Sequence, residues 1–168
     1  MYLCSRNVAI SKTKKVNNET TMKRKNFMLT PHFSYQEMTH SDWAEKRNID
    51  NTPDELQLAA LTNICRVLGE PLRAAFGPIV VTSGFRSERV NEGVHGVGNS
   101  RHLRGEAMDI RIGTVERGRQ MFLFIRDHVD FDQLLFEYNH QGAMWLHGSV
   151  CLDPKENRHQ AIMNYCAR

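Results

Sequence analysis

Ser100-Arg101-His102-Leu103-Arg104-Gly105-Glu106-Ala107-Met108-Asp109 decides how this chain must run. It sets a histidine seven residues before an aspartate, with a glycine between them. A second histidine follows in Trp145-Leu146-His147. Two imidazoles and a carboxylate suit a catalytic zinc, because three protein ligands leave one position open for water. Seven residues of helix span about 10 Å, and seven of strand span more than ~20 Å. Ligands of one zinc lie only about 2 Å from it. A shared site therefore requires the segment to double back near Gly105, with Asp109 entering along the next element.

That next element reads as a strand over residues 107–112. Met108, Ile110 and Ile112 can face the core, which turns Asp109 to the opposite face. Upstream, Ile79-Val80-Val81-Thr82-Ser83 is a short strand of buried type. A loop with a small helix follows over 86–91, and residues 93–98 are flexible by composition. Downstream, 114–129 reads as a helix packing through Val115, Phe122, Ile125 and Val129. Two strands follow over 132–138 and 144–150. The first puts Leu134 and Phe136 on one face and Glu137 on the other; the second aligns Trp145, His147 and Ser149.

Nearer the start, residues 34–45 suit a short helix over the core. The clearest helix start is Thr52-Pro53-Asp54-Glu55, with Thr52 as cap, Pro53 at the first position and Glu55 completing a capping box. Leu58, Leu61, Cys65 and Leu68 repeat on one face; Gly69 and Pro71 imply a bend or stop before the helical path runs on to Gly77. Residues 153–168 fit helix or strand. Helices that precede and punctuate a small antiparallel sheet make the fold class α+β.

A chain of 168 residues fits one domain with a sizeable core. The expected division is a disordered basic leader over 1–25 and a single domain over 26–168. No apolar run reaches the 18 or so residues of a membrane span, so no stable membrane insertion is expected. Residues 1–30 hold seven Lys or Arg and one Glu, while the remainder holds 15 basic and 18 acidic residues. The folded body is thus mildly acidic, which argues against nucleic acid as a partner. Met22 opens Met22-Lys23-Arg24-Lys25 and is a candidate start, and the leader lacks the long apolar core of a secretion signal. Cys4, Cys65, Cys151 and Cys166 form no Cys-x-x-Cys pair and suggest neither a zinc knuckle nor a disulfide framework; Cys65 reads as a core thiol.

Three blocks together carry a resemblance: Ser83-Gly84-Phe85-Arg86-Ser87, Asn99-Ser100-Arg101-His102 through Asp109, and Trp145-Leu146-His147. They resemble the zinc D-alanyl-D-alanine carboxypeptidase family, murein peptidases that share the metal-binding fold of the Hedgehog signalling domain. Phe85 stands where the family usually has tyrosine. The resemblance covers roughly residues 27–163. It implies that His102, Asp109 and His147 bind Zn2+, which would lower the pKa of a bound water and polarise an amide carbonyl. It implies hydrolysis of a peptide bond involving D-amino acids in peptidoglycan stem or cross-link peptides, with the carboxypeptidase and endopeptidase modes both open. Arg86 would stabilise an oxyanion or grip a peptide carboxylate. The family often places an acid three residues before its last histidine ligand, and here Met144 stands there. Glu137 is then the expected general base, with Glu106 as its rival and His140 behind it. Ser87 and Ser100 are candidate hydrogen-bond partners, His95 a candidate entrance residue and Trp145 a candidate cleft wall. A monomer is expected, either a phage or prophage lysis enzyme or a cell-wall enzyme exported by another route, made in the cytoplasm and acting at the cell wall or periplasm. The alternative is a non-catalytic, Hedgehog-like metal-bearing binding module, which Met144 favours.

Overall fold

A computed structural model describes residues Asn26–Cys166; the basic leader lies outside them. Two short helices come first, α1 (Tyr35–Thr39) and α2 (Asp42–Glu45), where the sequence suggests one. Ser34 caps α1 and Ser41 caps α2, each accepting a backbone N–H through its hydroxyl. Helix α3 (Glu55–Ile64) begins two residues later than expected. The Thr52 hydroxyl is taken by Asp50, so Asp54 is the cap. Asp54 Oδ1 accepts from Gln57 N, and Gln57 Oε1 accepts from Asp54 N.

The helical path does not stop at Gly69. It passes through a π-helical segment, Cys65–Gly69, into α4 (Glu70–Phe76). Glu70 N donates to Cys65 O, and the wider turn admits Pro71, which has no N–H to give. Gly69 is needed there, since a Cβ would come within 2.8 Å of the Phe33 ring. Helix α5 (Glu88–Gly93) and α6 (Val115–His128) follow. Thr114 caps α6, which buries Met121, Phe122 and Ile125; Val115, expected to pack, is exposed in the first turn.

The strands are β1 (Val81–Ser83), β2 (Ala107–Arg111), β3 (Gln133–Tyr138), β4 (Met144–Ser149) and β5 (Gln160–Cys166). They form one sheet in the order β1-β2-β4-β3-β5. The first three pairings are antiparallel, but β5 runs parallel to β3, so the sheet is mixed rather than antiparallel. Connectivity is the reason. Strand β4 ends at Ser149 beside Gln133, the start of β3, and β5 begins beside that same Gln133. Reversing after β4 sends β5 along β3 in its own direction. Cys65 and Cys151 are free, buried thiols.

One sheet face is the core. Met108, Ile110, Leu134, Phe136 and Leu146 pack with Leu61, Ile64, Leu68 and Leu72 of the long helical path and with Met121 and Ile125 of α6. Truncating one such leucine to alanine would cost about 2–5 kcal/mol. Period-two alternation puts Asp109, His147 and Glu137 on the other face.

Candidate metal centre

His102 lies on a 3-10 turn, Arg101–Arg104, whose start is held by Ser100 Oγ accepting from His102 N. Gly105 ends that turn with φ of 73°, in the left-handed region, and reverses the chain into β2 where the spacing required it. Any larger residue would also drive a Cβ to 2.4 Å from Gln57 O. Asp109 and His147 face each other directly across the β2–β4 ladder.

The three residues are buried, at 2%, 7% and 9% exposure for His102, Asp109 and His147. One ligand atom from each lies within 4.8 Å of the others. His102 Nδ1 is 2.6 Å from Gly84 O. A carbonyl can only accept, so Nδ1 donates and Nε2 presents its lone pair. That lone pair lies 3.2 Å from Asp109 Oδ1, which also sits 2.9 Å from His147 Nδ1. Acceptors converging in a buried space repel one another unless a proton or a cation lies among them. Two nitrogens and an oxygen so arranged fit zinc. Burial holds the His102 imidazole below its ordinary value, against the pull of Asp109, and so favours the neutral form that a metal needs. Asp109 stays well below the usual carboxylate range: burial pushes it up, but His102 and His147 together outweigh that.

Arg86 backs the site. Its Nη2 donates to Asp109 Oδ2 at 2.7 Å and its Nε to Ser83 Oγ at 2.8 Å. Two of its three nitrogens are thus engaged, one on Asp109 and one on the strand that precedes Arg86. Glu137 lies opposite Trp145 on β3, diagonal to His147 and on the same face. Diagonal neighbours are about 7–8 Å apart, within reach of a long side chain. Burial raises the Glu137 carboxyl to about 7, and His147, Asp109 and Arg86 all act on its charge. Met144 pairs with Tyr138 and has the parity of Leu146, so it belongs to the core-side face of β4.

The other candidates lie elsewhere or are engaged. Both Glu106 oxygens have partners, Arg101 Nη1 at 2.8 Å and Leu152 N at 3.0 Å. His140 is exposed in the β3–β4 turn, and His95 is exposed at φ of 59°. Ser87 Oγ donates to Asp50 O rather than toward the histidines. Trp145 is half-buried beside Glu137. Sequence reasoning missed the Gly84 carbonyl and the Ser83 hydroxyl. No side-chain pattern marks a carbonyl as a partner, although the glycine itself was visible. A second group of ligating types, His40, Asp42 and Glu45, is fully exposed, and each ring nitrogen of His40 bonds its own carboxylate at 2.9–3.0 Å.

A buried N/N/O donor set could hold a metal ion, and the carboxyl group on the same face is placed as in hydrolytic metal centres. The Peptidase M15 family model matches residues 31–147. The match takes in more than half of the chain, and the protein belongs to this family of zinc-dependent, D-Ala-D-Ala carboxypeptidase-like metallopeptidases. A comparison with curated proteins finds no match. Among the described residues no helix is long and apolar enough to cross a membrane.

Proposed function

We propose that this protein hydrolyses an amide bond in peptidoglycan stem or cross-link peptides, at a bond involving a D-amino acid. His102, Asp109 and His147 are the zinc ligands in this reading, Glu137 the general base and acid, and Arg86 the group that holds Asp109 and meets substrate. When bound, zinc supplies Lewis-acid polarisation of the scissile carbonyl and makes water a stronger acid. The observation that carries the reading is Glu137 on the triad's face, diagonal to His147. Glu137 takes a proton from the attacking water as the oxygen–carbon bond forms, then delivers it to the leaving amine as the carbon–nitrogen bond breaks. Burial lifts this carboxyl to about 7 in the metal-free protein, and a bound dication would draw it back toward the carboxylate that a base needs. Gly84 O fixes the His102 tautomer throughout.

Arg86 Nη1 has no hydrogen-bond partner among the described residues, so one arm of its fork remains for an oxyanion or a terminal carboxylate. Arg86→Ala separates these. Loss confined to substrates with a free terminal carboxylate means carboxypeptidase recognition; equal loss on internal bonds means oxyanion stabilisation. The main test is digestion of purified peptidoglycan by zinc-loaded protein, with and without a chelator, and mass spectrometry of the new termini. Absence of any new peptide end overturns the reading. Met144 favours a second reading, a metal-bearing binding module, and intact zinc binding with saturable wall binding and no cleavage is its signature.

A further inference from the structure

The turn that carries Arg86 is fastened by one side chain from a distant loop. Asn51 Nδ2 donates to Thr39 O at 2.9 Å and to Phe85 O at 3.1 Å. Its Oδ1 accepts from Ser87 N at 2.7 Å. The last two bonds bracket Arg86 in sequence. The same turn supplies Gly84 O to His102 Nδ1, and Arg86 N donates to His102 O at 3.1 Å. Phe85 N donates to Met38 O at 2.8 Å, which ties the turn to the end of α1. A carboxamide alone among short side chains offers two donors on one atom and an acceptor on the other. Aspartate would keep the bond from Ser87 N and lose both donations.

We propose that Asn51 is a positioning residue for the metal centre. Its carboxamide locks residues 84–87 so that Gly84 O and Arg86 hold His102 and Asp109 in their ligating orientations. It acts through these groups and touches neither substrate nor metal. The proposal rests on the ligand set given above, and one of its two readouts needs no metal.

The test compares Asn51→Ala and Asn51→Asp with Asn157→Ala. Asn157 makes a similar bond, accepting from Cys151 N at 2.9 Å, but has no hydrogen bond to the triad or the turn. The first readout is the nitrogen-15 spectrum of the histidine rings in metal-free protein. His102 in the parent protein should show the proton on Nδ1, and Asn51→Ala should shift it toward mixed tautomers. The second is the zinc dissociation constant by competition with a chromogenic chelator. Asn51→Ala should weaken it about tenfold or more, as loss of an outer partner of a metal site does. Asn51→Asp should fall between, and it carries both readouts if the alanine variant does not fold. Asn157→Ala should lower the melting temperature and leave both readouts unchanged. An unchanged His102 tautomer with zinc affinity within about twofold of the parent overturns the proposal. Equal weakening by Asn157→Ala also overturns it, since general loosening would then suffice. If the parent protein binds no zinc, the ligand assignment fails separately and the tautomer comparison decides this proposal alone.

Discussion

Two buried charge clusters flank the same strands, and they are wired differently. Around Asp132, every charge has an answer. Its carboxylate receives Arg158 Nη2 at 2.9 Å, Arg101 Nε at 3.0 Å and Ser149 Oγ at 3.1 Å, while Arg101 reaches on to Glu106. Donors meet acceptors throughout, and the cluster ties β3, β4 and the segment before β5 together. At the triad, His102 spends its donor on Gly84 O and Asp109 Oδ2 accepts from Arg86, which leaves the His102 Nε2 lone pair and Asp109 Oδ1 facing each other beside His147 Nδ1. A matched cluster is a fastener, and a cluster of converging acceptors is a place for a cation. Burial and charge alone would not tell them apart.

Breaking each cluster should give opposite phenotypes. His102→Ala or His147→Ala should lose most zinc and activity, and Asp109→Ala should severely weaken both; elemental analysis after dialysis reads this without any substrate. Near-parental zinc in all three variants would remove the ligand set. Asp132→Ala should instead cost about 3 kcal/mol of stability, the low end for a broken buried pair because Arg158 is half exposed. Denaturant melts measure that cost, and the folded fraction should keep its zinc.

Glu137→Gln sharpens the contrast within the site. Zinc should be retained while turnover falls at least roughly a hundredfold. Normal turnover in the metallated variant would reject Glu137. The same substitution tests a smaller effect on stability. The folded pKa of Glu137 is raised from 4.5 to about 7, so the fold binds this proton more tightly than the unfolded chain does. Metal-free protein should therefore lose stability as pH rises across that interval, and Glu137→Gln should remove this part of the loss; melting temperatures at pH 4.5 and 7.5 would read the difference (roughly the ends of that window). A bound dication would favour the carboxylate and shrink the effect. Least of all, His40→Ala should leave zinc content unchanged, because its cluster is exposed and nothing buries its donors.

Local features were the legible ones. His102, Gly105 and Asp109 sit within one short stretch, so spacing and the turn they need could be reasoned together. Alternation placed Asp109 and Glu137 on the non-core face for the same reason. The Asp132 cluster joins Arg101 to Arg158 across 57 positions, and no local period records such a contact. The parallel β5 was equally hidden, because its direction follows from where β4 ends. The start of α3 was missed through competition: Thr52 and Asp54 are both good caps, and only the bond from Thr52 to Asp50 decides between them.

The π-helical segment has a consequence for chain length. A turn closed by i→i+5 bonds holds one residue more than a regular helical turn, so Cys65–Gly69 carries an extra residue that leaves the phase on either side nearly unchanged. A single deletion there would let the path close as a regular helix with Leu72 still facing the core, and Pro71 would be the position under strain. A deletion within α3, which has no extra residue, would instead turn everything after it by about 100°. The spare residue sits where Leu68 lies over Gly148, next to His147: the chain tolerates a change of length at that point and is strict about it one turn earlier.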